Sequence, residues 1–429
     1  MPPSSATITP LPGGPFSPDL YARAWSSIPH PTRPLIATAH EKSVTVYSLS
    51  TLTKHLSLTG GHSRSVRSVA WQPCTTTSSS SSPSQKLRLV TGSFDSTAGL
   101  WSFDEKEKST FSLEKNMNNK QLGEEEEGEE DEEEWEFNLV LEGHENEIKS
   151  IAFSPSGQFL ATCSRDKTVW IWEEVDEDEW ETVAVLSEHE GDVKCVAWAP
   201  SEYSGKGGRF YGTDCLASAS YDDTVRIWRE DGDGEWVCVF VIEGFGGTVW
   251  SLEWEKEKRV MMNDEKEGKG KTRMSRLVTA CQDGGVKVWE LVEEEEEVEE
   301  DGGKGDWSVP NRMRRELREE WRCVGEMPKV HTREVYSVAW SGETGVLAST
   351  GGDGRVVLYG EEEKEEEEEK KKKEWKVLTV LEGAHGPYEV NHVTWCKRWD
   401  KGTERKGEEE MLVTTGDDGV VMPWEVRFS

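Results

Sequence analysis

The sequence predicts an all-β chain, a single ring of seven four-stranded blades spanning residues 1–429, and three observations predict it. Polar and aromatic landmarks recur seven times at fixed offsets. Between them, short runs alternate apolar and polar residues, as in Val193-Lys194-Cys195-Val196-Ala197-Trp198 and Thr224-Val225-Arg226-Ile227-Trp228, which is the period of half-buried strands. The strand count also closes: after Trp424 only residues 425–429 remain, too few for an outer strand, so residues 6–11 are expected to supply the fourth strand of the last blade and leave no edge unpaired.

The twenty Trp carry the repeat. Leu160, Thr162, Asp166 and Trp172 stand at offsets of zero, two, six and twelve. The offsets recur at Leu89, Thr91, Asp95, Trp101; at Leu216, Ser218, Asp222, Trp228; and at Leu277, Thr279, Asp283, Trp289. Two further copies are Leu347, Ser349, Asp353, Tyr359 and Leu412, Thr414, Asp418, Trp424, with Leu35, Glu41, Tyr47 a degenerate first one. Upstream of each unit a His precedes an aromatic by nine residues: His62 to Trp71, His144 to Phe153, His189 to Trp198, His331 to Trp340. His385 to Trp395 has one residue more, and Phe245 to Trp254 and Phe16 to Trp25 keep the spacing without the His. A further Trp (135, 180, 236, 321, 375) precedes that position by nine or ten.

Each copy therefore reads as four strands around a His, a Ser/Thr, an Asp and a Trp, a pattern similar to the WD40 repeat, seven of which make a β-propeller. A buried Asp at the turn between the second and third strands needs donors, and the imidazole, hydroxyl and indole N–H supply them. A Ser/His/Asp set also suggests catalysis, but near-copies in most blades make it a structural device, so no catalytic residue, cofactor or metal is expected.

The repeat interval exceeds the usual 40 to 45 residues because of insertions, not because of longer blades. They follow the third strand (104–134, 291–320, 360–374) or separate the first two (73–86, 200–213, 255–275, 397–410), which places all of them on one face, the bottom. Acidic runs such as Glu124–Glu127, Glu293–Glu297 and Glu365–Glu369 bury no apolar surface and are read as solvated, with a weak helix expected over 360–374.

Only 34% of residues are apolar and 31% are charged, so part of the chain lies outside any core. A net charge of -34 repels phosphate backbones and anionic lipid, so no nucleic-acid or membrane binding is expected. Residues 1–20 lack a signal-peptide pattern and the longest apolar run, Val237–Ile242, is too short to span a bilayer, which points to a soluble cytoplasmic protein, with nuclear presence left open. The eight Cys contain no C-x-x-C pair, unlike a zinc ribbon, an iron–sulfur ligand set or a disulfide framework.

Two series of side chains are expected on the top rim. Residues preceding each blade Asp are His40, Phe94, Arg165, Tyr221, Gln282, Gly352 and Asp417; those five or six after each His position are Tyr21, Arg67, Lys149, Lys194, Trp250, Tyr336 and Asn391. Against the acidic background, Arg67, Lys149, Arg165 and Lys194 cluster on blades two to four, and the aromatics Tyr21, Phe94, Tyr221, Trp250 and Tyr336 fill much of the rest of the rim. Arg and aromatic residues dominate binding hot spots, and a guanidinium grips a carboxylate bidentately, so the patch suits an acidic or C-terminal peptide with an aromatic or apolar side chain. For the two Lys, ordinary solvated strand ends remain the plainer reading.

The wording of blades three to five, Leu160-Ala161-Thr162-Cys163-Ser164-Arg165-Asp166-Lys167-Thr168-Val169 and Ser220-Tyr221-Asp222-Asp223-Thr224-Val225, resembles the WD40 subunit of the eukaryotic cytosolic iron–sulfur assembly (CIA) targeting complex. Glu142-Gly143-His144-Glu145-Asn146-Glu147-Ile148-Lys149-Ser150 and Thr248-Val249-Trp250-Ser251-Leu252 look like that family too. The resemblance implies a non-catalytic scaffold that joins a small CIA-specific partner subunit and a HEAT-repeat adaptor, contacts a hydrogenase-like iron–sulfur carrier and presents apo Fe–S client proteins. The family's functional arginine, in its S-R-D-K motif, falls on Arg165. Two positions depart from the pattern: Phe245 replaces the blade-five His, and Pro423 is expected to interrupt the third strand of the last blade. The alternative is a WD40 adaptor or substrate receptor of another pathway, such as chromatin or a ubiquitin ligase.

Overall fold

The computed structural model describes residues 4–73, 86–104, 135–176, 178–200, 211–231, 234–256, 276–292, 319–364 and 372–429. Their strands form seven four-stranded antiparallel sheets arranged as the blades of a propeller. From the channel outward, strands a to d are Ala24–Pro29, Leu35–His40, Ser43–Ser48 and Lys54–Leu58 in blade one, and Val66–Trp71, Lys86–Ser93, Ala98–Asp104 and Glu136–Leu141 in blade two. Blade three has Ile148–Phe153, Phe159–Ser164, Val169–Asp176 and Glu179–Leu186; blade four has Val193–Trp198, Tyr211–Ser220, Val225–Asp231 and Trp236–Ile242. Blade five has Val249–Trp254, Leu277–Cys281, Val286–Leu291 and Trp321–Glu326; blade six has Val335–Trp340, Leu347–Gly351, Val356–Lys364 and Lys372–Leu381. Blade seven has Val390–Lys397, Glu410–Gly416 and Val421–Phe428, and its outer strand is Ala6–Pro10.

That N-terminal strand closes the ring, pairing Ala6 with Phe428 through to Pro10 with Trp424. Strand c of blade seven runs unbroken through Pro423, contrary to the expected interruption. Pro423 still pairs with Val413, and its carbonyl accepts the Leu11 N–H at 3.0 Å.

The core lies between blades. Ala37, Val44, Val46 and Leu58 of blade one pack on Val69, Trp71, Leu89 and Trp101 of blade two, and equivalent layers recur around the ring. Each fully buried Val or Leu in such a layer contributes roughly 1.5–3 kcal/mol.

A second device joins the blades at the channel. The third residue of each a strand bonds to the next blade's backbone: Ser26 to Arg67, Ser68 to Ile151, Ser150 to Val196, Cys195 to Leu252, Ser251 to Val338, Ser337 to Val393 and His392 to Ser27. Five of these side chains are Ser, the shortest hydroxyl that reaches across without crowding the channel.

On the bottom face, buried ion pairs bridge neighbours. Arg276 holds Glu255 of its own blade at 2.8 Å and Glu361 of blade six at 2.5 Å, its guanidinium 5.0 Å from the Trp340 ring centroid. Arg229 of blade four meets Glu319 at 2.5 Å, and Arg88 of blade two meets Glu174 of blade three.

Two bottom segments differ from expectation. Residues 361–364 and 372–374 are not helical but extend the strands of blade six: Glu361 pairs with Trp375 and Glu362 with Glu374, with Lys373 and Lys376 on Glu361 and Glu362. Opposite charges across a hairpin favour the ladder over a helix. The 397–410 insertion is packed: Arg398 and Asp400 are buried and doubly bonded at 3.0 and 3.1 Å, and Arg398 also reaches Glu425 at 3.1 Å. The acidic runs 124–127, 293–297 and 365–369 lie outside the described residues.

Candidate functional site

Five blades share one polar network. In blade two, His62 contacts Asp95 at 3.2 Å and Thr91 at 2.7 Å, and the Trp101 indole donates to Thr91 at 3.1 Å. Blade three repeats it with His144, Asp166 (2.8 Å), Thr162 and Trp172, and blade four with His189, Asp222 (2.8 Å), Ser218 and Trp228. His331, Asp353 and Ser349 do the same in blade six, as do His385, Asp418, Thr414 and Trp424 in blade seven. The indole serves the hydroxyl and not the Asp, so the chain of bonds runs Trp to Ser/Thr to His to Asp.

Blade five has no imidazole. Trp289 donates to Thr279 at 3.0 Å, Phe245 packs on Trp289 at 5.5 Å, and Asp283 turns to Lys329 at 3.4 Å. Blade one departs further than its degenerate sequence suggests. Tyr47 pairs with Ile36, not Leu35, because the b–c turn is one residue shorter and has no Asp. His40 is buried there and bonds Thr45 at 2.8 Å, which removes it from the expected rim series.

The networks position the rim. Each a strand carries a bulge at its second residue, which aims one side chain at the top of the channel: Trp25, Arg67, Lys149, Lys194, Trp250, Tyr336 and Asn391. Six match the expected series. In blade one the bulge residue is Trp25, not Tyr21, since the strand starts four residues later than the Phe16 spacing implies. Tyr21 instead sits in the preceding loop at φ 57° and is 87% exposed.

The expected cations and aromatics form one connected arc. Arg67 lies 4.2 Å above Trp25, Trp25 is 5.9 Å from Phe94, and Lys149 is 4.5 Å from Phe94. Lys194 stands between Tyr221 (5.4 Å) and Trp250 (5.1 Å), and Trp250 meets Tyr336 at 5.4 Å. Burial and the nearby Arg23 lower the Arg67 guanidinium to about 10, which leaves it charged at neutral pH.

Arg165 stands at the centre of this arc. Ser164 Oγ accepts the Asp166 N–H, Asp166 in turn accepts the Thr168 N–H at 2.9 Å, and Lys167 takes φ 75° to complete the turn. The Arg165 N–H is held by the Glu147 carbonyl at 2.9 Å, yet its side chain is 54% exposed. Its guanidinium is 3.9 Å from both Glu147 and Asp192, too far for hydrogen bonds. Those carboxylates are engaged elsewhere, Glu147 with Lys149 (2.7 Å) and Arg64 (3.0 Å), Asp192 with Lys194 (3.2 Å). Burial alone would raise the Glu147 carboxyl, but Lys149 and Arg64 outweigh it and hold it below the ordinary carboxylate range. Lys149, Arg165, Asp192, Lys194 and Tyr221 thus line an open pocket of about 300 Å³ with cations in excess. Among the described residues no group of His, Cys, Asp and Glu has an arrangement fit to hold a metal ion.

Known proteins share this organisation. The family described as WD domain, G-beta repeat matches residues 33–102, 135–173, 180–229 and 321–359. Proteins named "Probable cytosolic iron-sulfur protein assembly protein 1" from Neurospora crassa and Chaetomium globosum are each 56% identical, covering 99% and 100% of this chain and 97% of their own length. The chain belongs to the cytosolic iron-sulfur protein assembly protein 1 family. A Pyricularia oryzae protein of the same name is 52% identical over 96% of both chains. Trp25 joins the rim through the bulge between Ala24 and Ser26, a position that the Phe16 spacing does not show.

Proposed function

We propose that the propeller is a non-catalytic scaffold of cytosolic iron–sulfur protein assembly, and that its top face holds apo client or partner proteins by an acidic group seated on Arg165. The observation that carries this is the guanidinium's position, fixed by its backbone and the His144–Asp166 network but without a hydrogen-bonding carboxylate of its own. An incoming carboxylate gains two parallel N–H donors without unmaking a bond. Tyr221 beside it, 60% exposed, offers a face to an adjacent apolar side chain.

The family names support work in the cytosol, and nuclear presence extends that reading. The partners in this proposal are a small CIA-specific subunit, a HEAT-repeat adaptor, a hydrogenase-like iron–sulfur carrier and the clients. The chain contributes position and charge, not chemistry: burial raises the thiols of Cys163 and Cys396, and that of Cys215 to about 12, so they stay protonated at neutral pH.

The test is reconstitution. Purified wild type and Arg165→Glu are each incubated with an apo Fe–S client and the HEAT-repeat adaptor, and complex formation is measured. Retention of both by the variant removes the top-face reading; retention of neither by the wild type removes the scaffold reading.

A further inference from the structure

Propeller blades diverge outward, and between blades two and three the resulting wedge has an apolar floor and an acidic margin. Leu139, Leu141 and Glu142 line one side and Trp172, Trp180, Asp178 and Glu179 the other, around a groove of about 410 Å³. Val183 and Val185 lie on the same outer strand as Trp180, 39% and 48% exposed, and Val140 is 37% exposed on the facing strand. This is not a general property of outer strands: that of blade one exposes Lys54, His55 and Ser57 instead. Edge strands are ordinarily blunted by charge, so an apolar pair of edges calls for a covering partner.

The charges around the groove say which kind. Glu136, Glu142, Glu179 and Glu181 are exposed on or beside these two strands, and none has an ion pair or side-chain hydrogen bond among the described residues. The cations nearby are spent on other acids, Lys86 on Asp178 at 2.8 Å and Arg88 on Glu174. Trp180 also keeps a buried indole N–H with no acceptor among the described residues, whereas Trp172 donates to Thr162.

We propose that this wedge is a second docking site, for a short partner-protein segment that sets apolar side chains between Leu139 and Val185 and carries Lys or Arg on its flanks. Its chemistry is the inverse of the top face, so the propeller grips an acidic ligand and a basic-apolar one at separate places. In sequence, the stretch 129–134 that precedes the outer strand of blade two is wholly acidic and has neither the apolar nor the basic residues such a site takes.

The experiment uses the full chain and two labelled synthetic peptides, one alternating Leu and Lys, one alternating Leu and Glu, with binding read by fluorescence anisotropy. The Leu/Lys peptide binds the wild type. It binds at least tenfold more weakly to Val183→Arg/Val185→Arg and to Glu142→Lys/Glu179→Lys, and the Leu/Glu peptide does not bind the wild type. A control with the distant exposed pair Glu41→Lys/Glu404→Lys leaves the Leu/Lys affinity within twofold. An equal loss in that control means attraction to net charge alone and overturns the site, as does unchanged affinity in the groove variants. Binding that emerges only after deletion of 106–130 makes that segment the occupant and overturns the partner reading. The Glu variants alter exposed side chains only, so the test survives if the Val variant fails to fold.

Discussion

His392 Nδ1 accepts the Ser27 N–H at 3.4 Å, and with that contact the side chain of the last blade's innermost strand fastens it to the first. It is the one imidazole in a ring of inter-blade bonds otherwise made by Ser and Cys195. His392→Ser, which installs the residue five other blades use, should hold stability within about 0.5 kcal/mol, whereas His392→Ala loses about 1 kcal/mol with the bond. Urea unfolding checks both; equal losses would mean that the side chain's volume matters and not its acceptor.

The same residue predicts a pH dependence. Burial, aided by Arg67, lowers His392 to about 4, and burial with Arg33 lowers His30 to about 4. A His with a lowered pKa prefers its neutral form in the fold, so its contribution is complete above the unfolded value near 6.5 and is lost as pH falls towards 4. A second loss follows below about 4. Burial works against Asp166 and Asp353, but the bonds from His144 and His331 bring both to about 2, so their contribution is present above the ordinary 3.8 and fades as pH falls through 2. Thermal melts at pH 7.5, 5 and 3.5 should descend in that order, with a smaller first step in His392→Ser. A melting temperature flat from 7.5 to 4 contradicts this.

Arg276→Ala should be among the most damaging surface-proximal changes, costing about 3–5 kcal/mol, because it strands Glu255 and leaves Glu361 only the half-exposed Lys373 at a buried inter-blade contact. Adding Glu255→Gln and Glu361→Gln should restore a substantial part, since the uncompensated charge is then gone. Denaturant midpoints of the single and triple variants decide; no recovery in the triple would assign the loss to Arg276 packing on Trp340.

Gly351→Ala tests the tightness of the top. A Cβ there would stand 2.0 Å from the Glu334 carbonyl oxygen, backbone that does not yield easily. A loss of about 1–3 kcal/mol is expected in chemical denaturation, and an unchanged midpoint would show that this turn shifts freely.

The repeat was readable because each network needs its residues at set offsets, and the b–c turns of blades two to seven tolerate no insertion. Blade one escapes the pattern for the same reason: with its turn one residue shorter and no Asp, the spacing points to Leu35 and Phe16, while the structure anchors on Ile36 and the bulge at Trp25. The rim residues of the other blades were legible because bulge and turn stay in register with the His. Contacts such as Arg276 with Glu361, 85 residues apart, were not, because a charge pair carries no period and its partner is chosen by how adjacent blades meet. At 361–364 and 372–374 composition and structure diverge: Glu and Lys favour a helix in isolation, but the paired strands of blade six impose their own ladder.

Asp166 links stability to binding. Asp166→Ala should lower the melting temperature and weaken client binding together, since it frees His144 and the turn that presents Arg165. Loss of binding with an unaltered melt would place Asp166 in the interface itself.

The most direct test of the central claim is the affinity of an apo Fe–S client for wild type and for Arg165→Glu, measured with the thermal melt of each. The account predicts a melt within about 2 °C, because the side chain makes no hydrogen bond in the fold, and at least a tenfold loss of affinity. Equal affinities in two well-folded proteins would contradict it.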